Sequence, residues 1–152
     1  MNITFIGHSF ISRHETVKRA VKELVKSRAC DSKLIVCYLG GYGEFDEICA
    51  DACRELKQEI DTIKLVYVTP YLNLSGQAKI KDMNKSFLYD EIFYPPIEST
   101  PPRFAISKRN DWMIKNADLV IAYVDHNHGG AYKSLQKAIR RKKNIINVCD
   151  II

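Results

Sequence analysis

The chain predicts an α/β fold of the doubly wound, Rossmann-like kind, a parallel sheet with helices on both faces formed by residues 1–152 as a single domain. Three observations predict it. Short, nearly continuous apolar runs recur along the sequence, stretches with helical spacing separate them, and no hairpin-type turn joins neighbouring runs. Continuous apolar runs are the pattern of strands buried on both faces of a parallel sheet. Strand alternating with helix then requires right-handed crossovers that cover both sides.

In chain order, strands are expected at 3–6, 34–39, 65–68, 119–124 and 145–148, with a short one at 91–94. Val17, Ala20, Val21, Leu24 and Val25 mark one helical face, and Phe45, Ile48, Cys49, Ala52, Leu56 and Ile60 mark a second. Residues 103–116 form a third helix, and Leu135, Ala138 and Ile139 lie on a fourth. The segment 70–102 holds all five prolines and breaks the rhythm, so it reads as a long excursion over the strand ends.

At 152 residues, with 46% hydrophobic and 27% charged side chains, a packed core is expected. No apolar stretch approaches the ~20 residues of a bilayer span, and Met1 runs into Asn2 to Ile6 without a signal-peptide pattern. A cytoplasmic protein with no membrane partner is the expectation. Cys30, Cys37, Cys49, Cys53 and Cys149 are an odd set inside apolar segments, which suits buried thiols. The net charge of +5 favours an anionic ligand only weakly, because Arg140, Arg141, Lys142 and Lys143 close a helix whose carbonyl end attracts cations.

In open parallel sheets, ligands collect at the carboxyl ends of strands, where glycine turns and free helix N–H groups meet anions. Gly7, His8 and Ser9 follow the first strand. Gly40, Gly41, Tyr42, Gly43 and Asp46 follow the second, and Asp125, His126, Gly129, Gly130 and Ala131 follow the fifth. Each group stands before a helix. The bland alternative is three tight turns and no more. Gly40-Gly41-x-Gly43 lacks the dinucleotide G-x-G-x-x-G spacing, and no phosphate-loop G-K-[ST] exists. Glu44, Asp46 and Glu47 also suit a helix start by charge alone. His126-x-His128 and the Cys49, Cys53 pair lack zinc-site spacing, so no metal is expected.

Thr4 to His8, Tyr38 to Asp46, Pro95 with Arg103 to Asn110, and Ala117 to His126 with Gly129 to Ala131 together resemble the SLOG superfamily, in particular its small YpsA-like, DUF1273-like branch. The resemblance covers nearly the whole chain. That superfamily includes nucleotide sensors, DNA-binding members and the Lonely Guy phosphoribohydrolases, which carry R-K-x-x-M and P-G-G-x-G-T-x-x-E motifs. Arg109 and Met113 keep the first motif, while Asn110 replaces its lysine. Gly129 and Gly130 keep the paired glycines, but Tyr132, Lys133 and Gln136 replace the glycine, threonine and glutamate of the second. Glutamine has no carboxylate to activate water or stabilise a developing cation, so hydrolysis is disfavoured.

The resemblance implies non-hydrolytic binding of an ADP-ribose-like or NAD-derived nucleotide by a sensor, carrier or sequestering protein, with no cofactor required. Arg109 and Asn110 would contact phosphate, and Asp46 or Asp125 would accept from ribose hydroxyls. Tyr42, Tyr71 or Trp112 would stack on a base. The bland role for Arg109 is a surface ion pair with Asp111 or Glu98. Two other classes stay open: an enzyme acting on an N-glycosidic bond with Glu47 or Asp125 as its carboxylate, and, less favoured, a nucleic-acid module. A homodimer or larger homo-oligomer is the expected assembly.

Overall fold

A computed structural model describes residues 1–29, 33–71 and 88–152. The sheet contains β1 (Asn2–Gly7), β2 (Ile35–Leu39), β3 (Ile63–Val68), β4 (Glu91–Phe93), β5 (Leu119–Tyr123) and β6 (Asn144–Asn147). All neighbours pair in parallel, in the order β4-β3-β2-β1-β5-β6. The helices are α1 (His14–Arg28), α2 (Glu44–Glu59), α3 (Ala105–Lys115) and α4 (Gly129–Arg140). The chain winds outward from β1 through β2 and β3 to β4, then crosses back to place β5 on the other side of β1. The order therefore reverses between β1 and β5, where crossovers diverge and leave a crevice at the strand ends.

Alternate residues of each strand face opposite layers. Ile3, Phe5, Ile35, Cys37, Leu39, Ile63, Leu65 and Ile121 pack with Val17, Val21 and Val25 of α1 and with the Phe45 to Leu56 stripe of α2. On the other face, Ile6, Val120 and Ala122 meet Ile114 and Ala138, while Val66 and Val68 meet Met113. Two helices thus cover each face. The second layer is thinner over β2 and β3, and there Trp112 lies against Tyr38 and Phe93.

The expected strands are found, with ends shifted by one or two residues. The expected end of β6 at Val148 gives way to a 3-10 turn, Val148–Asp150. Its cause is Asn147, whose amide nitrogen donates to Val124 O and whose amide oxygen accepts from the Val124 and Cys149 N–H groups. Helix α3 starts two residues later than expected because Pro102–Phe104 form a 3-10 turn.

Much of the expected 70–102 excursion, residues 72–87, lies outside the described residues, as does Cys30. Cys37, Cys49 and Cys53 are buried free thiols and Cys149 is partly buried. Among the described residues, no helix is long and apolar enough to cross a membrane.

Candidate functional site

The register pairs Gly7 with Tyr123, and the His8 N–H donates to Tyr123 O, so the loops after β1 and β5 emerge side by side. Gly7 is required by close approach: a Cβ there would stand 2.2 Å from the Phe45 ring that opens α2. This contact draws α2 against the end of β1. Glu44 then fixes the β1 loop, its Oε2 accepting from the Ile11 N–H at 2.6 Å and meeting His14 Nε2 at 3.0 Å. The Ile11 N–H, with His14 second, holds the Glu44 carboxyl below its ordinary pKa. At the β5 side, Gly129 has a φ of 91°, which L side chains rarely adopt, and starts α4, whose N-cap residue His128 makes no side-chain cap hydrogen bond to the first N–H groups.

Two connected clefts result. The first, about 150 Å³, has Gly7, Tyr42, Asp46, Arg109, Asn110, Gly130, Ala131 and Ser134 among its lining residues. The second, about 370 Å³, is lined by Gly7, His8, Ser9, Phe10, His126 and Gly129 to Ala131. They meet at Gly7 and the first turn of α4.

Arg109 sets the character of the first cleft. It is 2% exposed. Its Nη1 donates to Gly40 O at 2.7 Å and Val68 O at 2.8 Å, and its Nε donates to Asn110 Oδ1 at 2.9 Å. The expected surface ion pair is not what the structure contains: Asp111 instead accepts from Lys137 Nζ at 2.8 Å. No carboxylate among the described residues forms an ion pair with the Arg109 guanidinium. Burial lowers its pKa, with Asp46 the main opposing influence. A two-pronged grip on phosphate is also excluded in this geometry, because Nη1 and Nε are spent and Nη2 alone remains.

Asp46 faces the same cleft. Its Oδ2 accepts from the Tyr42 N–H at 3.0 Å, yet burial dominates and pushes its pKa up to about 6. The Tyr42 ring lies 5.5 Å from the Arg109 guanidinium carbon.

In the second cleft, the His8 and His126 rings stack at 3.7 Å and 8° from parallel, with His128 tilted against His126 at 4.3 Å. His8 Nε2 accepts from the Asp125 N–H at 3.1 Å, and burial lowers the His8 pKa, so the neutral ring suits this bond. Asp125 Oδ1 lies 2.7 Å from His126 Nδ1, and that hydrogen bond is the main cause of its lowered pKa. His8 Nε2, Asp125 Oδ1 and His126 Nδ1 fall within 4.8 Å of one another, a grouping that residue spacing could not display. One cation cannot lie in two ring planes that run parallel at 3.7 Å, and the His8 lone pair already has a donor. Metal ligation would require a ring to turn.

The remaining sequence candidates divide. Gly40 stands behind the cleft as an acceptor for Arg109, Gly41 and Gly43 shape the turn into α2, and Tyr71 donates its N–H to Thr69 Oγ1; none lines either cleft. Glu47 is exposed and also lines neither. Trp112 is engaged with Tyr38 and Phe93, so it is not placed to stack on a base here. Phe10, 85% exposed at the second cleft, and Ser134 were not singled out. The run Gly7-His8-Ser9-Phe10 offered a signal for Phe10, an aromatic ring inside a polar loop.

No family model matches the sequence. The chain is 25% identical over 131 residues to a UPF0398 protein of Brevibacillus brevis, an overlap of 83% of this chain and 69% of that protein. That likeness is consistent with the YpsA-like resemblance of the motifs.

Proposed function

We propose that the protein binds a nucleotide-type phosphorylated ligand without hydrolysing it, in the manner of a SLOG-type sensor, carrier or sequestering protein. The observation that carries this reading is Arg109: a buried cation with no ion-paired carboxylate among the described residues and, of the carboxylates, only Asp46 acting on it from across the cleft, in the wall of a cleft that ends at a glycine-started helix. A buried charge is costly unless compensated. A ligand phosphate against Nη2 and the first N–H groups of α4 would compensate it. The His8, Phe10 and His126 cleft gives the ligand's base or sugar a surface to stack on. The buried free thiols suit a reducing, cytoplasmic setting.

Titration calorimetry with AMP, ADP-ribose and NAD tests this. Saturable binding of at least one is expected, and the absence of heat with all three at millimolar concentration would sink it.

Asp46 favours a second reading. A carboxyl with a pKa near the working pH, facing the cleft, is placed for acid–base work on a glycosidic bond. It is a better candidate than Glu47, which lines neither cleft, or Asp125, which is held by His126. Release of free base from NAD or a nucleoside monophosphate, lost in Asp46→Asn, would establish this enzyme. Intact ligand after prolonged incubation would reject it.

A further inference from the structure

We propose that the groove between α3 and α4 is a second anion subsite, so that the ligand is an elongated nucleotide carrying a second phosphate remote from the first. This rests on the nucleotide-binding reading above and assigns it a ligand class. The groove encloses about 670 Å³ and meets the Arg109 cleft along Ile106, Asn110, Gly130 and Ser134. The 150 Å³ cleft holds only part of a nucleotide and continues on one side into the His8–His126 cleft and on the other into this groove.

Ser134 stands at the junction. It is 6% exposed, and its hydroxyl has no hydrogen-bond partner among the described residues. That hydroxyl lines both the cleft and the groove, so a ligand passing from one to the other takes the place of water as its partner.

Beyond the junction the groove is cationic. Arg103, Lys133 and Arg140 line it, and none is ion-paired with a carboxylate among the described residues. Asp111 is taken by Lys137, which also reaches Ser107 Oγ at 3.2 Å. Lys133 and Arg140 lie seven residues apart, on one stripe of α4. Helices α1 and α2 begin with acids, Glu15 in one and Glu44, Asp46 and Glu47 in the other, whereas the first turns of α3 and α4 contain none. The groove wall is arranged for negative charge that the protein itself does not provide. Phe104 and Ile106, 46% and 40% exposed, offer an apolar surface beside it, with the Arg103 guanidinium 4.8 Å from the Phe104 ring. From Gly130 the axis of α4 runs about 5 Å to Lys133 and about 15 Å to Arg140, so a second phosphate one ribose away from the first already reaches the near end of the cationic row.

The test compares AMP with adenosine 3′,5′-bisphosphate by calorimetry on the full chain. The bisphosphate should bind about tenfold or more tightly, as expected for one added charge-assisted contact. In the Lys133→Glu/Arg140→Glu double variant that preference should collapse to about threefold or less, while Arg19→Glu/Arg28→Glu, the same charge change at two exposed positions of α1, should preserve it. Equal affinity of the parent protein for both compounds would overturn the subsite and leave the nucleotide reading standing. Failure of both to bind would overturn the two together. Tighter, steeply salt-dependent binding of a single-stranded oligonucleotide than of the bisphosphate would also overturn it, in favour of a nucleic-acid surface.

Discussion

Arg109 joins parts of the chain that only the fold brings together: its Nη1 bonds Gly40 O and Val68 O, 69 and 41 residues away. It therefore has two roles, and substitution should reveal both. Arg109→Ala leaves two buried carbonyls without their donor, and losing such charge-assisted bonds costs about 2 kcal/mol of stability. The same change should weaken nucleotide binding by about tenfold or more. Arg109→Lys should recover part of each, because an ammonium keeps the charge but not the planar fork. Chemical denaturation and calorimetry measure the two losses, and unchanged stability in Arg109→Ala would contradict the buried placement. Asp46 gives a pH signature of the opposite sign from an ordinary carboxylate. Its folded pKa, about 6, lies above its unfolded value, so the native state binds the extra proton in that window. Its contribution is greatest below the unfolded pKa of ~3.9 and is lost as pH rises towards 6. Asp46→Asn keeps an oxygen for the Tyr42 N–H and removes the partly buried charge. Its stability at about pH 8 should match or exceed that of the parent, with a flatter profile between about pH 4 and 6. A parallel profile for the two proteins would show that Asp46 is not desolvated.

At the scale of elements, the start of α4 carries the sharpest expectation. A Cβ built on Gly130 meets nothing within 4 Å and points into open space, and helix N-termini favour carboxylates by ~0.3–1 kcal/mol. Gly130→Asp should therefore fold with equal or greater thermal stability and yet lose nucleotide binding, because its carboxylate repels the phosphate. A variant that binds AMP, ADP-ribose or NAD as the parent does would move the anion site away from α4. Strands and helices were legible in the sequence because their periods are local: the Val17 to Val25 stripe and the Leu119 to Val124 run show their faces without tertiary information. The loops after β1, β2 and β5 were legible as sharing one end of the sheet because strands of a parallel sheet all point the same way, whereas the adjacency of β1 and β5 was not. What was hidden is convergence. Asp46 and Glu47 are adjacent in sequence, and only the helical phase of α2 turns one into the cleft and the other to solvent. Ser134 looks like any helical serine until α3 packs beside it. Trp112 looks like a stacking residue until Tyr38 and Phe93 occupy its ring.

For the whole molecule, one sheet links every element, and its central strand β1 sits between both halves. The layers on the two faces share those strands, so unfolding is expected as one cooperative event, usual for a domain of this size. Trp112, the one tryptophan, reports from α3 against β2 and β4, on the flank of β1 opposite β5. Far-UV circular dichroism reports all the helices together. Heating should give coincident midpoints by the two probes. A ligand that binds at the β1–β5 crevice touches only part of the molecule, yet in a cooperative system it stabilises all of it by RT ln(1 + [L]/Kd). At a hundredfold excess over Kd that amounts to about 2.7 kcal/mol. For a chain of about 150 residues each kcal/mol moves the midpoint by roughly 2–4 °C, so both probes should shift upward by roughly 5–11 °C. A shift of the circular dichroism transition alone, with the Trp112 midpoint fixed, would mean that the two flanks of β1 unfold separately. No shift by either probe, at ligand concentrations up to about 10 mM, would leave the Arg109 cleft without a nucleotide.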